Sequence, residues 1–211
     1  MKLVPIAAAL AIFAAAPAFA VTTVVPAQSF LIDFEKNWDF GSAVDNTYAA
    51  AGVTFTNVLG QSNNDGMGTL AKGDYYANAP SPIGVAYAQL DGVTNTTAYM
   101  NVASGVDSAL SFYYSSGASI TGAVTAYSGL NGTGTMLGSF NLAATDNSFS
   151  IWAPVTFTFN GTAQSFDLSA SANVVAFDNI SAVPEPETFA MLLSGLGMMA
   201  FLARRKQKQA A

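Results

Sequence analysis

The sequence of 211 residues contains no cysteine and no histidine. Without cysteine there are no disulfides and no thiolate chemistry, so the fold must rest on its own apolar core. Without histidine there is no Ser-His-Asp or Cys-His catalysis, and most zinc sites are excluded. Charge is scarce as well: Asp, Glu, Lys and Arg together make up 9% of the chain. Between Val21 and Val183 there are 11 acidic residues against Lys36 and Lys72, a net charge of −9. A segment so poor in Lys and Arg cannot neutralise phosphates, which argues against nucleic acid and against anionic lipid surfaces. It is compatible with divalent cations or neutral glycans. Helical patterning is also missing, since no run in this segment has a convincing 3.6-residue apolar period. Asn37 to Ala51 leaves room for a short helical turn, but Gly41 and the polar residues after it favour a loop.

What is present points to strands. The chain has 15 Phe and 18 Gly. Phe30, Ile32 and Phe34 alternate with Leu31, Asp33 and Glu35, as a half-buried strand requires. Val53 and Phe55 alternate with Thr54 and Thr56, and Val155, Phe157 and Phe159 with Thr156 and Thr158. Phe166 and Leu168 alternate with Ser165, Asp167 and Ser169. Gly84–Leu90, Ala98–Ala103, Ala109–Ser115, Ile120–Ser128, Met136–Leu142 and Asn173–Ser181 are further strand candidates. Asp65-Gly66, Asp91-Gly92, Asn131-Gly132 and Asn160-Gly161 supply turn residues that tolerate positive φ. Asn160-Gly161, between two alternating runs, predicts a hairpin. About ten short strands and no long helix predict an all-β fold, an antiparallel β-sandwich of the jelly-roll type spanning 21–183.

The two ends have a different character. Lys2, the alanine-rich apolar run Val4–Ala16 and the Ala18-Phe19-Ala20 site form a secretory signal peptide over 1–20, implying Sec translocation and cleavage by signal peptidase. At the other end, Pro184-Glu185-Pro186 precedes an apolar run from Thr188 to Ala203, followed by the basic stop Arg204-Arg205-Lys206. As a helix that run is about 24 Å long, short of a ~30 Å hydrocarbon core, and the arginines can snorkel across the mismatch. Its apolar residues cover every side, which an amphipathic surface helix would not show. The basic end predicts a cytoplasmic tail over 204–211, with everything before Pro184 outside.

Val183-Pro184-Glu185-Pro186, the apolar helix and Arg204-Arg205-Lys206 together resemble the PEP-CTERM sorting signal of exopolysaccharide-producing Gram-negative bacteria, here spanning 184–211. The resemblance implies recognition by an exosortase, a membrane-embedded protease. The helix would then be a processing intermediate in the inner membrane, and the final setting the cell envelope, the outer surface or the extracellular matrix. The central segment resembles domains that precede such tails: Ile32-Asp33-Phe34-Glu35 is similar to their first strand, Tyr48–Phe55 to a following one, and Ala176-Phe177-Asp178-Asn179-Ile180 to their last. These domains are similar to galactose-binding-like or carbohydrate-binding-module jelly rolls.

That likeness implies a structural Ca²⁺ where first and last strands meet, held by Asp33, Glu35 and Asp178 with Asn179 as a further oxygen donor, since calcium takes several hard oxygens. The other reading of these acids is the solvated side and frayed edge of two strands. Asn63-Asn64-Asp65-Gly66 has the composition of a calcium loop without its alternating spacing, and reads as a turn. Sugar binding calls for exposed rings beside polar groups. Asp74, Tyr75, Tyr76 and Trp152 are the candidates, with Trp38 beside them; core packing is the competing explanation for each ring. Of Tyr113 and Tyr114, facing opposite sides of one strand, one belongs to the core. No pair of carboxylates can be given acid and base roles. The expectation is a non-catalytic surface or matrix protein in exopolysaccharide- or biofilm-associated structure or adhesion. A calcium-stabilised carbohydrate-binding module is the alternative, and a carboxylate-dependent hydrolase the third reading.

Overall fold

The computed structural model describes residues 29–63 and 75–182, with Gly195, Leu196 and Met198 of the tail. The signal segment 1–20 with Ala18 and Ala20, the Asp65-Gly66 turn and Asp74 lie outside the described residues. So do Pro184, Glu185 and Pro186, the bulk of the 188–203 helix, and Arg204, Arg205 and Lys206. Among the described residues no helix is long and apolar enough to cross a membrane.

Nine strands follow in chain order: β1 Phe30–Ile32, β2 Val53–Thr56, β3 Val58–Ser62, β4 Gly84–Ala88, β5 Tyr99–Ser116, β6 Ile120–Tyr127, β7 Met136–Leu142, β8 Ala153–Asp167 and β9 Val175–Ala182. The order across the sheet is β3-β4-β9-β5-β8-β6-β7, with β1 on β9 and β2 on β5. Every strand pairing is antiparallel. The fold is therefore all-β, as the alternation predicts. A three-residue 3-10 turn, Ala49–Ala51, is the regular structure in the predicted 37–51 loop.

Two expectations fail at the same place. Ala98–Ala103 and Ala109–Ser115 are not separate strands but the two halves of β5, which is 18 residues long. Asn160-Gly161 does not close a hairpin; it lies inside β8, which is 15 residues long. The positive φ of Gly161, 94°, belongs to an irregularity where the β5–β8 register shifts between Asp107 and Ala109. Facing it, Gly105 has φ 83°, and a Cβ there would lie 2.3 Å from Thr162 Cγ2. Conformation and close approach both require glycine at 105. These kinks divide the pairing into two layers. The first half of β5 pairs with β2 and with the last residues of β8, which also pair with β6, while Ala109–Tyr114 pair with Ala153–Thr158 and the end of β5 pairs with β9. The chain thus makes a sandwich by bending two long strands, a recognised way for strands to change sheets.

The apolar core fills the space between the layers. Phe34 meets Phe55 and Tyr48, Phe157 meets Phe140 and Phe159, and Phe159 meets Phe166, with ring centroids 5.3–5.9 Å apart. Each fully buried ring stabilises the fold by about 1.5–3 kcal/mol from burial alone. Trp38 belongs to this core: it is buried, and its Nε1–H donates to the Phe34 carbonyl at 3.0 Å. Gly60 lies against its face, where an added Cβ would be 2.0 Å from the indole. Trp38 is therefore a packing residue and not a sugar platform. Tyr114 is buried and Tyr113 half-buried, as expected of neighbours on opposite faces of a strand.

Candidate functional site

Strict alternation gives the β3–β4–β9 strip two distinct faces. Val58, Gly60, Ala86, Ala88, Val175 and Phe177 are all buried, and the apolar side chains among them belong to the main core cluster. The intervening residues point the other way. Gln61 lies opposite Val85, and Tyr87 opposite Ala176. Val85 and Ala176 join Tyr76 in a second, smaller apolar cluster, with Tyr75, Ala79, Phe149 and Trp152 packed against it.

Two loops stand over this outer face. In Tyr75–Ile83, Asn63 fixes the start: its Oδ1 accepts from Tyr75 N–H and Tyr76 N–H, and its Nδ2–H donates to the Tyr76 carbonyl. The second loop joins β7 to β8. Asp146 organises it by accepting from Ser148 Oγ–H, Ser150 N–H and Ile151 N–H, bonds that hold its carboxyl well below the ordinary carboxylate range. The loops are stitched together by Ala77 N–H to the Phe149 carbonyl at 3.1 Å and by Trp152 Nε1–H to the Ala77 carbonyl at 2.9 Å. Phe149 is held at φ 50°, a strained value for a bulky residue. The result is a cleft of about 420 Å³ lined by Gln61, Tyr75, Tyr76, Tyr87, Phe149 and Asn173 over a floor that includes Val85 and Ala176.

The predicted ring residues have separate duties here. Tyr75 lines the cleft and lies 6.2 Å from the Phe40 ring. Tyr76 lines it too, but it is buried and its hydroxyl donates to the Ile83 carbonyl at 2.8 Å. Burial, with Asp178 and Glu35 nearby, pushes the Tyr76 phenol up to about 12. Trp152 stands edge-on behind Tyr76 at 6.3 Å and buttresses the wall. Gln61, Tyr87, Phe149 and Asn173 are cleft residues that the sequence reading did not pick out. Alternation marks Gln61 and Tyr87 as facing away from the core, but their meeting with Phe149 and Asn173 depends on topology.

The three predicted acids lie at one end of the same outer face. Asp178 is fully buried under the Tyr75–Ile83 loop. Its Oδ2 accepts from Ser81 N–H at 2.7 Å and its Oδ1 from Asn179 N–H at 2.7 Å, while Ser81 Oγ–H donates to Asn179 Oδ1 at 2.8 Å. Glu35 Oε1 accepts from Ile83 N–H at 2.7 Å and Gly84 N–H at 3.3 Å. Asp33 Oδ1 accepts from Glu35 N–H. Burial, and then repulsion from Glu35 and Asp33, pushes the Asp178 carboxyl up to about 7, against the lowering effect of its two backbone N–H donors. Tyr48 is raised by its burial and by the same three acids. Lys36 places its ammonium over the Trp38 ring, 4.7 Å from the centroid. Phe34 and Asn179 both hold positive φ, 53° and 49°, so the chain is kinked beside each acid-bearing residue. Among the described residues no three acidic side chains converge as an all-carboxylate metal cluster.

Known proteins resemble the folded region only distantly. The K2 cleaved adhesin domain of Lys-gingipain is 15% identical, with a TM-score of 0.46 over 74% of this chain and 99% of that one. The K1 cleaved adhesin domain of Lys-gingipain from Porphyromonas gingivalis W83 is 18% identical, with a TM-score of 0.35 over 62% of this chain and 99% of that one. An isomalto-dextranase from Arthrobacter globiformis T6, solved with panose, is 14% identical with a TM-score of 0.37, and only 23% of its length is covered. No curated protein matches the chain. The tail is specific: residues 182–206 match the PEP-CTERM protein-sorting motif, beginning at the last residue of β9, and mark an exported surface protein targeted to an exosortase.

Proposed function

We propose that this is a non-catalytic protein of the cell envelope or extracellular matrix, acting in exopolysaccharide- or biofilm-associated structure or adhesion. The sorting motif at 182–206 supports this reading, because it directs a folded outer domain to the surface. On this reading the chain leaves by Sec translocation and signal peptidase cuts after Ala20. The 188–203 helix then holds it in the inner membrane of a Gram-negative cell, with Arg204, Arg205 and Lys206 inside. The exosortase acts at Pro184-Glu185-Pro186, and the domain at 21–183, a sandwich of jelly-roll type, is left outside. Changing Pro184, Glu185 and Pro186 together to alanine should leave full-length protein in the inner membrane. Unchanged release and gel mobility would sink the sorting step. Release of reducing sugar from matrix polysaccharide by the purified protein would overturn the non-catalytic reading.

A second reading, a calcium-stabilised carbohydrate-binding module, rests on the donor types at the acid end, Glu35 and Asp178 with Asn179, and not on a three-acid metal group, of which there is none among the described residues. The donors suit calcium: carboxylate oxygens of Glu35 and Asp178, the amide oxygen of Asn179, and Asp33 beside them. Glu35 and Asp178 already accept backbone N–H groups, and each carboxylate has lone pairs left for a cation. Backbone carbonyls or water would complete the shell. A bound cation would neutralise Asp178, which packing otherwise leaves buried beside two other acids. The protein should then melt at a higher temperature in Ca²⁺ than in EDTA. Equal melting temperatures would dismiss the metal.

A further inference from the structure

The cleft combines three properties. Its walls are rings: Tyr75, Tyr87 and Phe149 line it, with Tyr76 and Trp152 behind. It has polar groups to offer. Among the described residues, neither the Gln61 carboxamide nor the Tyr87 hydroxyl has a hydrogen-bond partner, and Asn173 uses only its Nδ2–H, toward the Leu90 carbonyl. Among the described residues its lining includes no charged side chain, and Asp178 lies beneath the Tyr75–Ile83 loop. Flat apolar faces with a few hydroxyl-competent groups fit the alternating C–H faces and hydroxyl edges of a pyranose ring. A lining that holds no cation among the described residues, beside the acid end of the same face, disfavours anionic sugars.

The walls are also fixed in advance. Asn63 and Asp146 pin the two loops, and Asp178 and Glu35 hold the far end of Tyr75–Ile83 through Ser81, Ile83 and Gly84. Loops already ordered lose little freedom on binding. We infer that this outer-face cleft binds a short stretch of uncharged polysaccharide, with Tyr87 and Phe149 stacking on a sugar ring and Gln61, Asn173 and the Tyr87 hydroxyl bonding its hydroxyls. This inference rests on the glycan-associated reading above and assigns it a site. It shifts the binding role from Trp152 to Gln61 of β3, Tyr87 of β4, Phe149 of the β7–β8 loop and Asn173 just before β9.

Native gels containing dextran, galactomannan or mixed-linkage β-glucan, with alginate as the anionic polymer, test this on protein recovered from cells expressing the full chain. At least one neutral polymer should retard the protein and alginate should not. Gln61→Ala should weaken the retardation about tenfold, and Tyr87→Phe, which keeps the ring and the fold, about threefold to tenfold, both with unchanged melting temperatures. Retardation that persists undiminished in both variants overturns the cleft while leaving the glycan-associated reading standing. No retardation by any neutral polymer, or retardation by alginate alone, overturns the ligand class. If mutant and wild-type protein bind alike but matrix attachment of cells is lost on deleting the protein, the surface role stands without this site.

Discussion

The two faces of β4 show how one short strand meets opposite demands. On the inner face Gly84, Ala86 and Ala88 are small, and with Gly60 of β3 they leave room for Trp38. On the outer face Val85 and Tyr87 are larger and line the cleft. The inner face is packed to contact and tolerates almost no added atom, while the outer face has open volume and unbonded polar groups. Period-2 geometry lets these requirements be met residue by residue, so damage on one face should leave the other's property largely intact.

The largest effect should come from the inner face. Trp38→Ala removes a buried indole and should lower unfolding free energy by about 3–5 kcal/mol in urea titrations. Gly60→Ala overpacks the same spot and should destabilise by about 1–3 kcal/mol. If Gly60→Ala were neutral, the inner face would not be the close-packed one.

Next comes the acid end of the outer face. The folded-state pKa of Asp178, about 7, is above its ordinary value of 3.8, so the native state holds a proton that the unfolded chain releases. Without added metal, this group's contribution to stability is greatest below about pH 4, declines as pH rises to about 7, and is level above that. Thermal melts from pH 4 to 8 should show this decline, and Asp178→Asn should flatten it. Added Ca²⁺, on the metal reading, should raise the melting temperature most above pH 7, where Asp178 is ionised, and less at pH 5. A calcium effect that is the same at both values would uncouple the ion from Asp178.

Smaller still is Gly161→Ala. It forces a Cβ onto φ 94° in the β8 irregularity and should cost about 1 kcal/mol or slightly more. The outer-face variant Tyr87→Phe should come last on the stability scale, within about 0.5 kcal/mol of wild type. A large loss there would place the Tyr87 hydroxyl in the architecture and not in recognition.

Legibility from sequence divided along the same line. The alternating runs Phe30–Phe34, Val53–Phe55 and Val155–Phe159 announced the buried face, because burial on one side imposes a period on the residues themselves. The Asn160-Gly161 signal misled, since positive φ serves a bulge as readily as a tight turn and only the partner strand distinguishes them. Trp38 looked like a surface ring because the glycines that accommodate it, Gly60 and Gly84, come from a different part of the chain. Of the four predicted ring-site residues, Tyr75 and Tyr76 do line the cleft and Trp152 supports it, while Asp74 lies outside the described residues.

The sequence by itself determined the all-β class, the identity of the buried alternating residues, the acidic and cysteine-free character of the domain, and the sorting motif at its end. All of these are local: they depend on residue type and on spacing over a few positions. The tertiary structure decided that four predicted strands are two long bent ones, that Asp178 is sealed beneath Ser81, and that Gln61, Tyr87, Phe149 and Asn173 share one cleft. Each of these depends on pairings between segments far apart in the chain, where hydrogen-bond register and packing volume choose the neighbours and no local pattern records the choice.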